Sequence, residues 1–129
     1  MVVLRLVVLW LLIFQTKSFC AQSTDNFLKM RTGRFKYANK LEGTTIVRTK
    51  KKQVEYSNNG NSKLILRVKW LNDSTYTLTH KKSVNKDPGC LVKGVEILVQ
   101  IKECDSLAYF ATYSSTKCGK GESYFIKIE

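Results

Sequence analysis

The stretch from Lys63 to Thr79 reads KLILRVKWLNDSTYTLT and contains the clearest structural signal in the chain. In its first half, apolar residues at positions 64, 66, 68 and 70 alternate with residues that are mostly basic. Such alternation is typical of a strand that buries one of its two faces. The pair Asn72-Asp73 then marks a turn before a second strand over residues 75–81. The stretch therefore predicts two antiparallel strands joined by a short turn.

Similar alternation occurs on both sides of that stretch. The strongest turn signal is the Asn-Asn-Gly-Asn segment at 58–61, because Asn-Gly readily adopts the positive φ angles of a tight hairpin. No long helical pattern is present. The further predicted strands are at 35–37, 44–50, 52–56, 95–102, 107–113 and 124–128. We therefore predict an all-β fold, a small antiparallel meander of about eight strands that closes into a lipocalin-like or similar barrel.

Residues 1–21 are predicted to be a secretory signal peptide that precedes a single domain over residues 22–129. Arg5 is followed by the apolar run Leu6–Phe14, which is too short to span a bilayer as a helix. Cleavage after Ala21 and cleavage after Cys20 each fit part of the pattern. Lipid attachment at Cys20, as in a lipoprotein, and an uncleaved anchor are the alternatives. We accordingly expect an exported protein, periplasmic or secreted, with no transmembrane span.

Length and charge limit the classes of function. A chain of 129 residues fits one domain and excludes large folds such as a (β/α)₈ barrel. Its composition, 43% hydrophobic and 25% charged, is that of a folded protein. Loss of the signal peptide would remove Arg5 and Lys17 and lower the net charge from +12 to +10. We expect a small monomeric domain.

The four cysteines test the predicted topology. They include no C-x-x-C pair, so no metal site is predicted. In a meander, Cys90 and Cys118 lie at the same end of the barrel, whereas Cys104 lies at the opposite end. Because an exported chain is exposed to oxidation, we predict a Cys90–Cys118 disulfide. Cys104 then stays reduced or pairs with Cys20, and the alternative is that all of them are buried and reduced.

No catalytic motif is present. The chain lacks a nucleophile elbow, a phosphate-binding loop and a paired-carboxylate motif. His80 is the one histidine, and its simplest interpretation is a strand-end residue near solvent. We predict no catalytic residue, no cofactor and no enzymatic activity. An enzyme that uses His80 is the least favoured alternative.

Positive charge is concentrated in residues 29–52, which hold nine basic residues and one acid. If these point outward, one side of the barrel attracts anionic lipid, acidic polysaccharide or nucleic acid. Nucleic acid is disfavoured because Phe35 and Tyr37 alternate with the basic residues and would point inward. A solvated face that discourages strand pairing is the simpler interpretation. The candidate residues for an anionic surface are Arg34, Lys36, Arg48, Lys50, Lys51 and Lys52.

Large side chains dominate the predicted inner face. They favour a filled barrel, and a small apolar pocket with tyrosine hydroxyls at its mouth is the alternative. The large residues placed inside are Trp70, Tyr76, Tyr109, Tyr113 and Tyr124. The candidate ligand-pocket residues are Trp70, Tyr76, His80, Tyr109 and Tyr113.

Four strings in the first two thirds of the chain resemble a known pattern. They are RTGRFKY (31–37), IVRT (46–49), VEY (54–56) and VKWLNDSTYTL (68–78). Together they resemble a family of small exported β-rich proteins from Bacteroidetes-type bacteria, with the pattern F-K-T-G-x-F … R-T … x-E … W-x-N-D-C-x-Y-x-L. Relatives sometimes carry a DNA topoisomerase IV label, which a chain this short without a nucleotide-binding loop does not support. The resemblance also implies two cysteines in the relatives, one where Ser74 stands here, that staple the N-terminus to the turn between strands four and five.

Two functional hypotheses follow. The first is an exported, non-enzymatic barrel that binds a small apolar ligand or an anionic envelope surface. The second is a structural or interaction module whose partner is another envelope protein.

Overall fold

The computed structural model describes residues 24–38 and 43–128. The predicted signal peptide, with its cleavage and lipidation sites, lies outside the described residues. Within those two ranges, no helix has the length and apolar character needed to cross a membrane.

The described chain forms one short α-helix, a single 3-10 turn at Asn58–Gly60 and eight antiparallel strands. The elements are α1 (Thr24–Lys29), β1 (Gly33–Tyr37), β2 (Thr45–Arg48), β3 (Lys52–Ser57), β4 (Ser62–Trp70), β5 (Thr75–Val84), β6 (Glu96–Cys104), β7 (Ala108–Ser115) and β8 (Gly119–Lys127). Each strand pairs with the next, and β1 pairs with β8, so that the sheet closes into a barrel. The predicted all-β meander that closes into a barrel is confirmed.

The two ends of the barrel differ. One end carries α1 and the β2–β3, β4–β5 and β6–β7 turns, and is called here the closed end. Met30 directly follows α1 and is fully buried there, and Phe27 of α1 packs against the core. The other end carries the β3–β4 and β7–β8 turns and the longer β5–β6 loop, and is called the open end.

The core follows from the period of two in each strand. Along β4, Leu64, Leu66 and Val68 are buried, whereas Arg67 and Lys69 are exposed. Alternate residues of β6 and β7 are buried in the same way, because the pairing register places them on the inner face. In β5, Thr77 is buried as well as its neighbours Tyr76 and Leu78.

The prediction for the last strand is wrong by one residue. Phe125 is buried, whereas Tyr124 and Ile128 are 52% and 45% exposed. Three apolar residues in succession, 124–126, do not define which face of the strand is buried. The register with β7 does so, because Phe125 pairs with the buried Tyr109. Tyr124 instead packs against Phe110 outside the barrel, with ring centroids 4.7 Å apart.

The predicted Cys90–Cys118 disulfide is confirmed. The two Cα atoms are 5.3 Å apart, and the bond ties the β5–β6 loop to the β7–β8 turn at the open end. Cys104 lies at the end of β6, at the closed end, as the meander requires. The disulfide therefore fixes the longest connection of the described barrel against its neighbour.

Replacement of both Cys90 and Cys118 by serine should lower the free energy of unfolding by about 2–4 kcal/mol. The bond closes a loop with a sequence separation of 28, and its loss increases the entropy of the unfolded chain. Urea denaturation with and without a reducing agent measures this loss in the free energy of unfolding. The reducing agent should destabilise the wild type and leave the double variant unchanged. A wild type that does not respond to reduction would contradict the assignment.

Candidate functional site

The guanidinium of Arg48 lies inside the barrel at the closed end. Arg48 ends β2, and its register with β1 and β3 turns the side chain inward. Its Nε donates to Gln53 Oε1 (2.8 Å), and its Nη1 donates to the Met30 carbonyl oxygen (2.9 Å). Its Nη2 donates to the hydroxyls of Tyr109 (2.7 Å) and Tyr76 (3.2 Å). We call these five residues the Arg48 cluster.

Aromatic faces complete the surroundings of this buried cation. The Arg48 guanidinium carbon lies 4.7 Å from the ring centroid of Phe35 and 4.9 Å from that of Tyr76. Such contacts stabilise a desolvated cation, and the four acceptors receive hydrogen bonds from Nε, Nη1 and Nη2. The expectation that Arg48 belongs to an exposed anionic-surface site is wrong, because the side chain is 1% exposed and shares the inner face with Ile46.

A cavity of about 300 Å³ occupies the barrel interior between the Arg48 cluster and the open end. Gln53 and Tyr76 form its floor, so the cluster closes the cavity from below. Its walls are mostly apolar, and include Leu78, Ile97 and Phe125. Because Cys90 lines the cavity and is exposed, the cavity reaches the surface at the open end.

The interior is thus not filled, contrary to the favoured prediction. Tyr124, counted as an inner residue, points outward. Small residues take the inner positions on the neighbouring strands, where Ala111 of β7 pairs with Ser123 of β8. Next to them Tyr113 pairs with Gly121, and a Cβ added at Gly121 would clash with the Tyr113 ring. The Tyr113 ring thus takes the space over Gly121, whereas the small side chains of Ala111 and Ser123 leave room for the cavity.

One carboxylate lies in the cavity wall. Glu55 is 9% exposed, and its position in β3 pairs with Leu64 and Ile46, both on the inner face. The hydroxyl of Tyr37 donates to Glu55 Oε1 over 2.7 Å. Burial, and then the adjacent Glu55 carboxylate, raise the pKa of Tyr37 well above its usual value. Tyr37 is therefore a neutral hydrogen-bond donor at physiological pH.

No cation of the described residues neutralises Glu55 at short range. Within residues 24–38 and 43–128 the one ion pair joins Arg31 to Asp73, outside the barrel interior. The donors of Arg48 are directed to neutral acceptors of the Arg48 cluster and not to Glu55. A buried carboxylate with a single donor retains capacity for further hydrogen bonds. Gln53 belongs to none of the quoted sequence patterns, and Glu55 occurs only in the string VEY (54–56), where no role was assigned to it.

The five predicted pocket residues are distributed over different sites. Tyr76 and Tyr113 line the cavity, and Tyr109 lies beneath its floor in the Arg48 cluster. Trp70 lies at the closed end, where its ring contacts Tyr76 with centroids 4.5 Å apart, and it does not line the cavity. The fifth residue, His80, also lies outside the cavity lining.

His80 forms a local contact in β5. Its Nε2 lies 2.8 Å from the Ser83 hydroxyl oxygen. Within the described ranges, no carboxylate forms a hydrogen bond with the His80 ring, so the pair lacks the group that orients a catalytic histidine. The described residues also contain no group of three His, Cys, Asp or Glu side chains placed to hold a metal ion.

The remaining anionic-surface candidates do point into solvent. Lys50, Lys51 and Lys52 are exposed at the β2–β3 turn and line a groove on the outside of the barrel. Arg34 and Lys36 are exposed on β1 and do not line that groove.

Comparisons of the chain with models of protein families, with curated proteins and with solved structures found no match. The function therefore has to be inferred from the geometry of the site itself.

Arg48→Met should lower the free energy of unfolding by about 2–4 kcal/mol, although methionine has a similar length. The change leaves the Met30 carbonyl and the Gln53 amide oxygen buried without their donor, at about 1–3 kcal/mol for each group. Urea denaturation measures the loss. A more stable variant, as found when some buried ions are replaced by apolar side chains, would contradict this role.

Tyr37→Phe should reduce the loss of stability at alkaline pH. The unfolded chain releases the Tyr37 proton near pH 10, whereas the folded chain keeps it because its pKa is raised. Rising pH therefore favours the unfolded state of the wild type, by up to about 1.4 kcal/mol per pH unit for this group. The free energy of unfolding, measured from about pH 9.5 to 11, gives the slope against pH for the wild type and for the variant. Equal slopes would show that Tyr37 titrates normally.

Proposed function

We propose that this protein binds a small, largely apolar molecule with one amino group, held inside the barrel between the Arg48 cluster and the open end. The observation that carries the proposal is the buried Glu55 carboxylate in the wall of an apolar cavity. A small β-barrel is a common frame for such a binding protein.

The cavity has the size and lining of a small-molecule site. Its volume of about 300 Å³ lies at the lower limit of ligand pockets. An apolar ligand would gain free energy by displacing water from walls such as Leu78, Ile97 and Phe125. The floor is rigid, because Tyr76 and Gln53 are held by hydrogen bonds to Arg48.

Glu55 defines the polar end of the ligand. Its carboxylate accepts a hydrogen bond from the Tyr37 hydroxyl. The ammonium group of a ligand would donate further, charge-assisted hydrogen bonds to it. A carboxylate ligand such as a fatty acid would instead face a like charge in a desolvated site. A ligand with an ammonium group should therefore bind more tightly than one with a hydroxyl group, and a ligand with a hydroxyl group more tightly than one with a carboxylate.

The proposal includes export and a non-enzymatic role. The Cys90–Cys118 disulfide supports export, because such bonds persist in oxidising compartments. The separation of His80 from the cavity supports binding without catalysis.

The experiment uses N-phenyl-1-naphthylamine, an apolar fluorescent probe, and its displacement by octylamine, octanol and octanoate. Octylamine should displace the probe at the lowest concentration. Glu55→Gln keeps an acceptor for Tyr37 and removes the charge, so it should weaken octylamine about tenfold, or about 1.4 kcal/mol, and leave octanol unchanged.

A matched pair of variants tests whether the probe binds inside the barrel. Ala111→Leu extends a side chain into the cavity and should abolish probe binding. Ala108→Leu makes the same change on the same strand, outside the cavity lining, and should bind normally. Probe binding that survives in Ala111→Leu would refute the interior site. If octanoate displaced the probe at the same concentration as octylamine, the role of Glu55 would be refuted.

A further inference from the structure

A second concave surface lies on the outer wall of the barrel, separate from the interior cavity. It is a groove of about 1060 Å³ over the outer faces of β3, β4 and β5. At the closed end it is bounded by the β2–β3 turn and by Leu28, Arg31 and Thr32. A hydrogen bond from the Val68 amide to the Lys51 carbonyl oxygen (2.9 Å) fixes the turn against β4. We call this surface the outer groove.

Exposed cationic side chains dominate the outer groove. They are Lys50, Lys51, Lys52, Arg67, Lys69 and Lys81. Arg31 also lines it but is paired with Asp73. The one acidic residue in the lining is Glu96. Apart from the Arg31–Asp73 pair, the lining of the groove thus carries six cations against one acid.

The arrangement of these charges opposes folding. Lys52 pairs directly with Arg67 across β3 and β4, and like charges opposite each other in a sheet are destabilising. Protection of an unpaired strand edge does not explain these cationic side chains either. Lysines blunt exposed strand edges in open sheets, but β1 pairs with β8 and closes this barrel. A bound anion would relieve the repulsion.

The spacing suits an extended polymer. Arg67 and Lys69 are two positions apart on β4, so they are separated by roughly 6.5–7 Å along the strand. A hydroxyl accompanies them, because the half-buried Thr79 pairs with Arg67 across β4 and β5. A linear polymer that carries regularly spaced anionic and hydroxyl groups would contact both the cations of β4 and the threonine hydroxyl of β5.

Two other polyanions fit less well. Single-stranded nucleic acid needs open aromatic faces for base stacking. Trp70 is the aromatic residue of the lining, and its ring is already in contact with Tyr76 (4.5 Å) and the Arg31 guanidinium (4.9 Å). A flat anionic bilayer cannot enter a concave groove.

We propose that the outer groove binds a linear acidic polysaccharide whose carboxylates contact Lys50–Lys52, Arg67 and Lys69. This site is independent of the interior ligand. Anions bound by exposed lysine and arginine side chains are screened by salt, so binding should weaken steeply as ionic strength rises.

The test is calorimetric titration of the intact protein with polygalacturonate at low and at high ionic strength. The groove variant carries Lys50→Glu, Lys51→Glu and Lys52→Glu. The control variant carries Lys102→Glu, Lys117→Glu and Lys120→Glu, which make the same change of charge at exposed positions outside the groove. The groove variant should bind at least tenfold more weakly, and the control variant within about twofold of the wild type.

A milder variant, Arg67→Gln with Lys69→Gln, provides the same comparison if the triple variant does not fold. An equal loss in the groove and control variants would overturn the proposal, because the attraction would then reflect net charge alone. Tighter binding to phosphatidylglycerol vesicles or to an oligothymidylate than to polygalacturonate would also overturn it. Ala111→Leu should bind polygalacturonate normally, which separates this site from the cavity.

Discussion

A buried positive charge organises the closed end of this barrel. The Arg48 guanidinium can be desolvated only where enough acceptors and aromatic faces surround it. Its partners come from β3, β5 and β7 and from the residue that follows α1. Each of these elements must therefore be in place at once, and the same contacts connect α1 to the barrel.

The Arg48 cluster also determines where a ligand can lie. It fills the closed end with large side chains, and so the free volume remains near the open end. Two small inner residues that line this volume, Ala111 and Ser123, pair with each other on β7 and β8. Glu55 then gives a mostly apolar space its one carboxylate. The interior thus separates a structural cation from an accessible carboxylate.

The sequence was most informative where one face of a strand is clearly apolar. Alternation in β4 and β6 indicated the barrel, and strand direction alone placed Cys90 and Cys118 together. It did not define the inner face of β3, where the inner residues Gln53 and Glu55 are polar and Val54 lies between them on the outer face.

The same rule failed for Arg48, because a basic residue is assigned to the surface unless its buried partners are known. Those partners are up to 61 positions away in the chain, and no local pattern contains them. In β8 the run of apolar residues around Phe125 left the inner face undefined. The sequence therefore missed the residues of the candidate site where polar groups face inward, against ordinary core composition.

Closure of the barrel places its first and last strands side by side. Phe35 pairs with Lys127, so the seam joins positions more than ninety residues apart, whereas every other strand pairs with its neighbour in the chain. Contacts between distant positions carry the largest cost of loop closure. The hairpins can form as the chain lengthens, but the seam has to wait for the final strand. Until β8 is present, β1 lacks one of its two partners and leaves one strand edge unpaired.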